Sequence, residues 1–130
     1  MDTVPKAHTR MQRCAQYADY LQCKFPVRHD VLILWTKRVM VDETGAQLSA
    51  IVTLNDLKQY QILMSLPGNR TIADAVETIR HEWPHMMRPG GLRVVAHDDI
   101  YAVLYWMLYR DYYEEGGIKE SEGFHWKEEV

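Results

Sequence analysis

The sequence predicts a single α+β domain, in which helices pack a small three-stranded, mainly antiparallel sheet. Three observations predict this class: a first segment of helical period, two alternating segments joined by a short turn, and a C-terminal segment that is apolar on nearly every helical face. The chain has 130 residues, of which 47% are hydrophobic, so it can bury a core of its own. The predicted order is α-β-β-α-α-β-α, in one domain over residues 1–117 followed by an acidic tail over 118–130.

The first predicted helix covers residues 10–24. Thr9 and Gln12 resemble a capping box at its start, and Pro26 follows its end. Its apolar side chains recur at three- and four-residue spacing, at Met11, Cys14, Ala15, Ala18, Leu21 and Phe25.

The two cysteines of the chain, Cys14 and Cys23, lie nine residues apart and therefore on different faces of this helix, so they are not expected to pair. No stretch approaches the ~18 apolar residues of a membrane span. The start of the chain also lacks the basic-then-apolar order of a signal peptide. We therefore expect reduced cysteines and a cytoplasmic protein.

The middle of the chain predicts a hairpin. A long strand over 31–41 and a second strand over 47–54 flank a turn at 42–45. With a four-residue loop, Trp35 faces Val52, and most of the other pairs on that sheet face are apolar as well.

The remaining elements follow from caps and breakers. Asn55 and Asp56 predict the start of a short helix over 57–66, and Thr71 predicts the start of another. A short strand over 92–96 then precedes the last helix, which Asp98 or Asp99 caps. The two central helices and the last strand complete the predicted order.

The last helix, from Asp99 to Tyr113, divides into two halves on a helical wheel. Its aliphatic half holds Ile100, Val103, Leu104, Met107 and Leu108. Its aromatic half holds Tyr101, Tyr105, Trp106, Tyr109, Tyr112 and Tyr113. One half can face the core, and the aromatic half then needs a second cover. That cover is either the chain itself, including Phe124 and Trp126, or a separate molecule.

The leading functional hypothesis is a non-enzymatic protein-interaction module that needs no cofactor and acts through this aromatic-acidic helix. The binding residues we predict are Tyr101, Tyr105, Trp106, Tyr109 and Tyr112 for contact area, with Asp111, Glu114 and Glu115 for charge. Residues 98–130 carry nine acidic and three basic side chains, which suits a partner with a basic surface and makes direct nucleic-acid binding an unfavourable reading. A homodimer is a second form of this hypothesis. A small inhibitor that occupies the basic groove of a restriction or CRISPR complex is a third.

One motif predicts an enzyme instead. The segment from His81 to His85 reads HEWPH and resembles the H-E-x-x-H pattern of zinc metalloproteases. The resemblance implies His81 and His85 as zinc ligands and Glu82 as general base, with a third ligand from His97 or Asp98. Proline within the motif predicts that the helix ends or kinks near Trp83, which would separate the two histidines. A small zinc-dependent hydrolase is therefore the alternative hypothesis.

Two shorter patterns allow other readings. Arg80 and His85 resemble the R-x4-6-H motif of HEPN ribonucleases, a resemblance that implies an all-helical fold and conflicts with the predicted hairpin. His97, Asp98 and Asp99 could bind Mg²⁺ or Mn²⁺, although an Asp before an apolar helix typically serves as its N-cap.

Overall fold

A computed structural model describes residues 7–93 and 97–114 and gives an α+β domain, as predicted. Its elements are α1 (Ala7–Lys24), β1 (Val31–Thr36), β2 (Met40–Val41), β3 (Gln47–Leu48), β4 (Ala50–Leu54), β5 (Tyr60–Ser65), α2 (Ile72–Met87), a 3₁₀ turn (Gly91–Arg93) and α3 (Asp99–Tyr113). The predicted tail over 118–130 lies outside the described residues. Within the described residues, no helix is long and apolar enough to cross a membrane.

The main sheet has three strands in the order β1-β5-β4, and it is mixed rather than mainly antiparallel. β5 is the central strand, parallel to β1 and antiparallel to β4. The predicted pairing of Trp35 with Val52 is therefore wrong, because Trp35 aligns with Met64 and Val52 with Ile62, both on β5. A separate antiparallel pair, β2 and β3, is all that remains of the predicted hairpin.

The central strand β5 occupies most of the segment that was predicted to be a helix over 57–66. Asn55 does not cap a helix; its side-chain oxygen accepts hydrogen bonds from the backbone N–H groups of Leu57 and Gln59, at 2.9 Å each. Lys58 takes a positive φ of 62° in the same turn. These contacts reverse the chain between β4 and β5, a role that Asn side chains commonly play. The predicted strand over 92–96 is also wrong at its start, where the structure has the 3₁₀ turn.

Helix α2 begins where predicted, with the Thr71 side chain accepting a hydrogen bond from the backbone N–H of Asp74 at 3.0 Å. The predicted break near Trp83 is absent: the helix continues through Pro84 to Met87. Trp83 is fully buried, and its indole N–H donates to the carbonyl of Phe25 at 2.9 Å. Packing of this face on the core therefore outweighs the local preference of proline to end a helix.

Helices α1 and α2 cover one face of the main sheet. The core between them includes Leu21, Ile62, Met64, Val76 and Ile79, all fully buried. The opposite sheet face remains accessible in the described part of the chain, since Leu34 and Ile51 are 43% and 40% exposed. The domain thus has two layers, with the helices on a single side of the sheet.

Helix α3 packs on α2 and α1 with its aromatic half turned inward, the reverse of the simplest expectation from the wheel. Tyr101, Leu108 and Tyr112 are buried, whereas the aliphatic Ile100 and Val103 are 48% and 61% exposed. The hydroxyls of Tyr101 and Tyr105 help to make this possible, because they donate to the backbone carbonyl of His81 and to the carboxylate of Glu77. The cover for much of the aromatic half is therefore the chain itself.

A buried arginine links the three helices. The Arg80 guanidinium lies 4.5 Å from the ring centroid of Tyr112 and 5.0 Å from that of Tyr113. It also pairs with Glu77 and donates to the hydroxyl of Tyr17 at 3.3 Å. Stacking on aromatic faces and a carboxylate partner together compensate a charge that water does not reach.

Replacing this arginine should destabilise the domain strongly. We expect Arg80→Met to lower the free energy of unfolding by about 1.5–3 kcal/mol, the usual cost of losing hydrogen bonds to a buried charged group. The matched control is Arg110→Met, because Arg110 is exposed and forms only an i,i+4 ion pair with Glu114, worth about 0.3–0.5 kcal/mol. Urea unfolding of the two variants measures the difference, and equal losses would contradict a structural role for Arg80.

Candidate metal centre

Three histidines converge where α2 meets the start of α3. His81 and His85 lie one turn apart on α2, and His97 lies just before the residue that caps α3. Their potential ligand atoms all lie within 4.8 Å of one another, and the two Nε2 atoms of His85 and His97 are 3.0 Å apart. His81 and His85 therefore lie on one face of α2, although the proline between them predicted that they would be separated.

The ring of Tyr101 packs against the whole cluster. Its centroid lies 5.7 Å from that of His81, 4.7 Å from that of His85 and 4.5 Å from that of His97. Its hydroxyl donates to the backbone carbonyl of His81 at 2.6 Å. Tyr101 was predicted to contact a partner, and its role as a wall of this site had no signal in the sequence.

His97 is positioned by the residue that follows it. Asp98 accepts two hydrogen bonds from the guanidinium of Arg88, at 3.1 and 2.8 Å, and it also accepts the backbone N–H of Tyr101 at 3.1 Å. Asp98 is thus the N-cap of α3, as predicted, and one half of an ion pair between α2 and α3. The Asp98 carboxylate is thus occupied by Arg88, and of the two predicted candidates for a third ligand only His97 lies with His81 and His85.

The electrostatic surroundings keep the α2 histidines neutral. Burial, together with the nearby His97, His81 and Arg88, lowers the pKa of His85 to about 4. Burial and the neighbouring His97 also lower the pKa of His81. Neutral imidazoles are the form that binds a metal ion, so proton competition at neutral pH is weak for these two side chains.

Glu82 follows His81 in α2. Both side chains line a cleft of about 320 Å³ between α2 and the strands β3 and β4. Burial raises the pKa of its carboxyl group to about 7. In the described part of the chain its carboxyl group has no hydrogen-bond partner. A carboxyl group with a pKa near neutrality can both accept and donate a proton in this pH range.

The donor set fits a divalent transition metal. Three imidazole ligands with one open position are the arrangement of a catalytic zinc site, and Zn–N bonds of about 2.0–2.1 Å place tetrahedral ligand atoms about 3.3–3.4 Å apart. The 3.0 Å between Nε2 of His85 and Nε2 of His97 is close to that spacing. The buried Nδ1 of His85 has no hydrogen-bond partner in the described region, which leaves this ring able to turn.

The predicted protein-contact residues are divided between interior and surface. Tyr101, Asp111 and Tyr112 are buried. Asp111 accepts a hydrogen bond from the hydroxyl of Tyr20 at 2.8 Å and forms an ion pair with Lys24. These three side chains serve packing. Of the others, Tyr105 and Tyr109 are half-buried, Trp106 and Glu114 are exposed, and Glu115 lies outside the described residues.

The other short patterns do not form sites here. Arg80 points into the aromatic cage between the helices, and His85 lies on the face of α2 that carries the histidine cluster, so the two halves of the HEPN-like motif do not meet. The α+β fold also disagrees with the all-helical fold that this resemblance implies. Asp98 forms an ion pair with Arg88. Of the three residues His97, Asp98 and Asp99, His97 is therefore the one that belongs to the histidine cluster.

Two groups in this site should influence stability in opposite directions as pH changes. The raised pKa of Glu82, about 7 against an ordinary 4.5, favours folding at low pH, and this contribution is lost as pH rises to 7. The lowered pKa of His85, about 4 against 6.5, favours folding above pH 6.5, and this contribution is lost as pH falls to 4. In metal-free protein, Glu82→Gln should therefore make the free energy of unfolding rise more steeply between pH 4.5 and 6.5. Urea titrations in EDTA test this, with the exposed Glu43→Gln as control, and an unchanged slope would contradict it.

Comparisons with known proteins add no name to this site: no protein-family model, no curated protein and no solved structure matches the chain.

Proposed function

We propose that this protein is a small metal-dependent hydrolase, with zinc the metal that the three-histidine donor set suits best. The observation that carries the proposal is the convergence of His81, His85 and His97 beside a carboxyl group of raised pKa. A structural zinc site normally has four protein ligands, whereas three ligands leave a position open for water or substrate. The prediction of a non-enzymatic protein thus becomes the second candidate below.

Bound in such a site, a metal ion lowers the pKa of a water molecule and polarises the bond to be broken. Glu82 would accept the proton of that water and return it to the leaving group, since its pKa lies near neutrality. His81 and Glu82 face the cleft along β3 and β4, so a substrate in that cleft would reach both. Tyr101 packs against one side of the cluster. The resemblance to H-E-x-x-H proteases makes a peptide bond the substrate to test first.

Zinc binding tests the first half of this proposal. We expect one Zn²⁺ per chain by elemental analysis, and an affinity at least about 100-fold weaker in His81→Ala and in His85→Ala. The reason is that even the loss of a residue that only orients a ligand costs about 10- to 100-fold. His29→Ala is the matched control, because His29 packs on Tyr60 and is not part of the cluster. Competition with a chromophoric chelator gives the affinities. Substoichiometric zinc, or an equal loss in the control, would reject the metal site.

Hydrolysis tests the second half. In zinc-loaded protein, Glu82→Gln should keep the metal but cleave fluorescently labelled casein about 10²–10⁴-fold more slowly, the usual contribution of a general acid-base group. Glu43→Gln again serves as the control for the loss of one carboxylate. Stoichiometric zinc without cleavage would reject the hydrolase and leave the metal site standing. Equal rates in Glu82→Gln and wild type would reject the role of Glu82.

A second candidate function is self-association through α3, one form of the interaction hypothesis. The outward face of this helix carries Ile100, Val103, Trp106 and Met107, between 42% and 61% exposed. In an antiparallel pair of these helices, Asp99 would lie opposite Arg110 of the second copy, and Val103 opposite Trp106. This face is thus complementary to itself in charge and in apolar surface, as a two-fold interface must be. The proposed inhibitor of a basic nucleic-acid-handling complex stays a prediction.

The oligomeric state decides this candidate. Light scattering after size exclusion should give a dimer for the wild-type chain and a monomer for Val103→Glu, because a buried carboxylate without a partner opposes association. Leu57→Glu is the control, since Leu57 is 78% exposed in the β4–β5 turn, away from α3. A monomeric wild type, or a dimer that survives Val103→Glu, would reject the interface.

A further inference from the structure

A larger cavity, of about 810 Å³, lies at the end of the sheet where β1 and β5 begin. It is enclosed by the segment after α1, the β4–β5 turn and the residues that follow α2. Its apolar wall includes Val27, Leu54, Met86, Met87 and Leu92. Binding sites for small molecules typically have volumes of about 300–1,000 Å³ and combine apolar walls with polar groups, and the lining of this cavity is about as polar as it is apolar.

Four of the side chains that line this cavity carry or can carry positive charge, and the phenol of Tyr60 adds a neutral polar group. Arg28, His29, Lys58 and Arg88 line it, and no acidic side chain of the described residues is among its lining. Such one-sided charge is notable in a chain whose net charge is −3. Because the lining has several cations and no described carboxylate, the potential in the cavity favours an anion.

Local contacts order three of the residues that carry these charges. The N–H of Lys58 donates to the carbonyl of Asn55 at 3.1 Å, within the turn that the Asn55 side chain organises. The His29 ring packs edge-on against Tyr60, with 5.2 Å between the ring centroids. Arg88 is fixed by its two hydrogen bonds to Asp98. The backbone around the cavity is therefore ordered, while the exposed side chains of Arg28 and Lys58 can reorient.

We propose that this cavity binds a small organic phosphate, with the phosphate on Arg28 and Lys58 and an apolar body against the wall of Val27 and Leu54. Arg and Lys side chains form their strongest hydrogen bonds with phosphate and carboxylate oxygens. Arg28 and Lys58 are exposed and line the cavity, so they can turn towards a ligand, whereas the charge of Arg88 is balanced by its ion pair with Asp98. This site is separate from the histidine cluster, and its occupation does not depend on a metal ion.

Isothermal titration with 1-naphthyl phosphate, in EDTA and at low salt, tests the proposal. We expect saturable binding to one site that weakens as salt is raised. Inorganic phosphate, which lacks the apolar body, and 1-naphthol, which lacks the charge, should each bind at least about tenfold more weakly. The double variant Arg28→Gln/Lys58→Gln should lose about tenfold or more in affinity for 1-naphthyl phosphate, since the phosphate would lose the charge-assisted hydrogen bonds of both side chains.

The control variant is Lys37→Gln/Arg38→Gln, which removes the same charge from exposed positions just beyond the opposite end of β1. It should bind 1-naphthyl phosphate as the wild type does. Equal affinity for 1-naphthol would show a purely apolar cleft and overturn the proposal. Absence of saturable binding, or equal losses in the two double variants, would overturn it as well. Because the titration is run without metal, these outcomes are independent of the hydrolase proposal.

Discussion

The candidate site depends on the uninterrupted course of α2 through Pro84. A proline inside a helix costs about 3 kcal/mol, because it removes a hydrogen bond and crowds the preceding turn. Here Trp83 and Pro84 are both buried, and burying one large apolar side chain contributes about 1.5–3 kcal/mol. The face that packs into the core therefore sustains the helix. On the other face, the same continuity brings His81 and His85 one above the other.

The third histidine depends on how α3 is attached to α2. The N-terminal end of α3 is held by the ion pair of Asp98 with Arg88 and by the hydrogen bond from Tyr101 to the backbone of α2. Further along, the hydroxyl of Tyr105 donates to Glu77, which is also the partner of Arg80. Polar contacts at both levels fix the rotation of α3 about its axis. That rotation turns the tyrosines inward and sets the position of the chain just before α3, where His97 lies.

The sequence was informative where the signal is local and uninformative where it is not. The caps at Thr71 and Asp98 and the period of α1 predicted helices that the structure contains. The prediction for β5 was wrong because a segment this short, with three consecutive apolar residues at its centre, fits a strand and a helix equally well. Its parallel pairing with β1 also joins residues about thirty positions apart. The wheel did not predict which residues of α3 face inward, since Leu108 of the aliphatic half is buried and Trp106 of the aromatic half is exposed. That choice rests on hydroxyl partners, such as Glu77 for Tyr105, which only the fold brings within reach.

The histidine cluster is difficult to explain as a device for stability. Nε2 of His85 and Nε2 of His97 face each other at 3.0 Å, where a single shared proton can satisfy both, and Nδ1 of His85 is buried without a partner in the described region. A buried polar atom left unpaired costs about 1–3 kcal/mol, and apolar side chains of similar size at these positions would avoid that cost. Residues that violate the rules of packing and polar satisfaction are most often found at functional sites. The two Nε2 atoms that share a proton in the metal-free protein carry the lone pairs that a metal ion would use, and this connects the chemistry of the cluster to the function proposed for it.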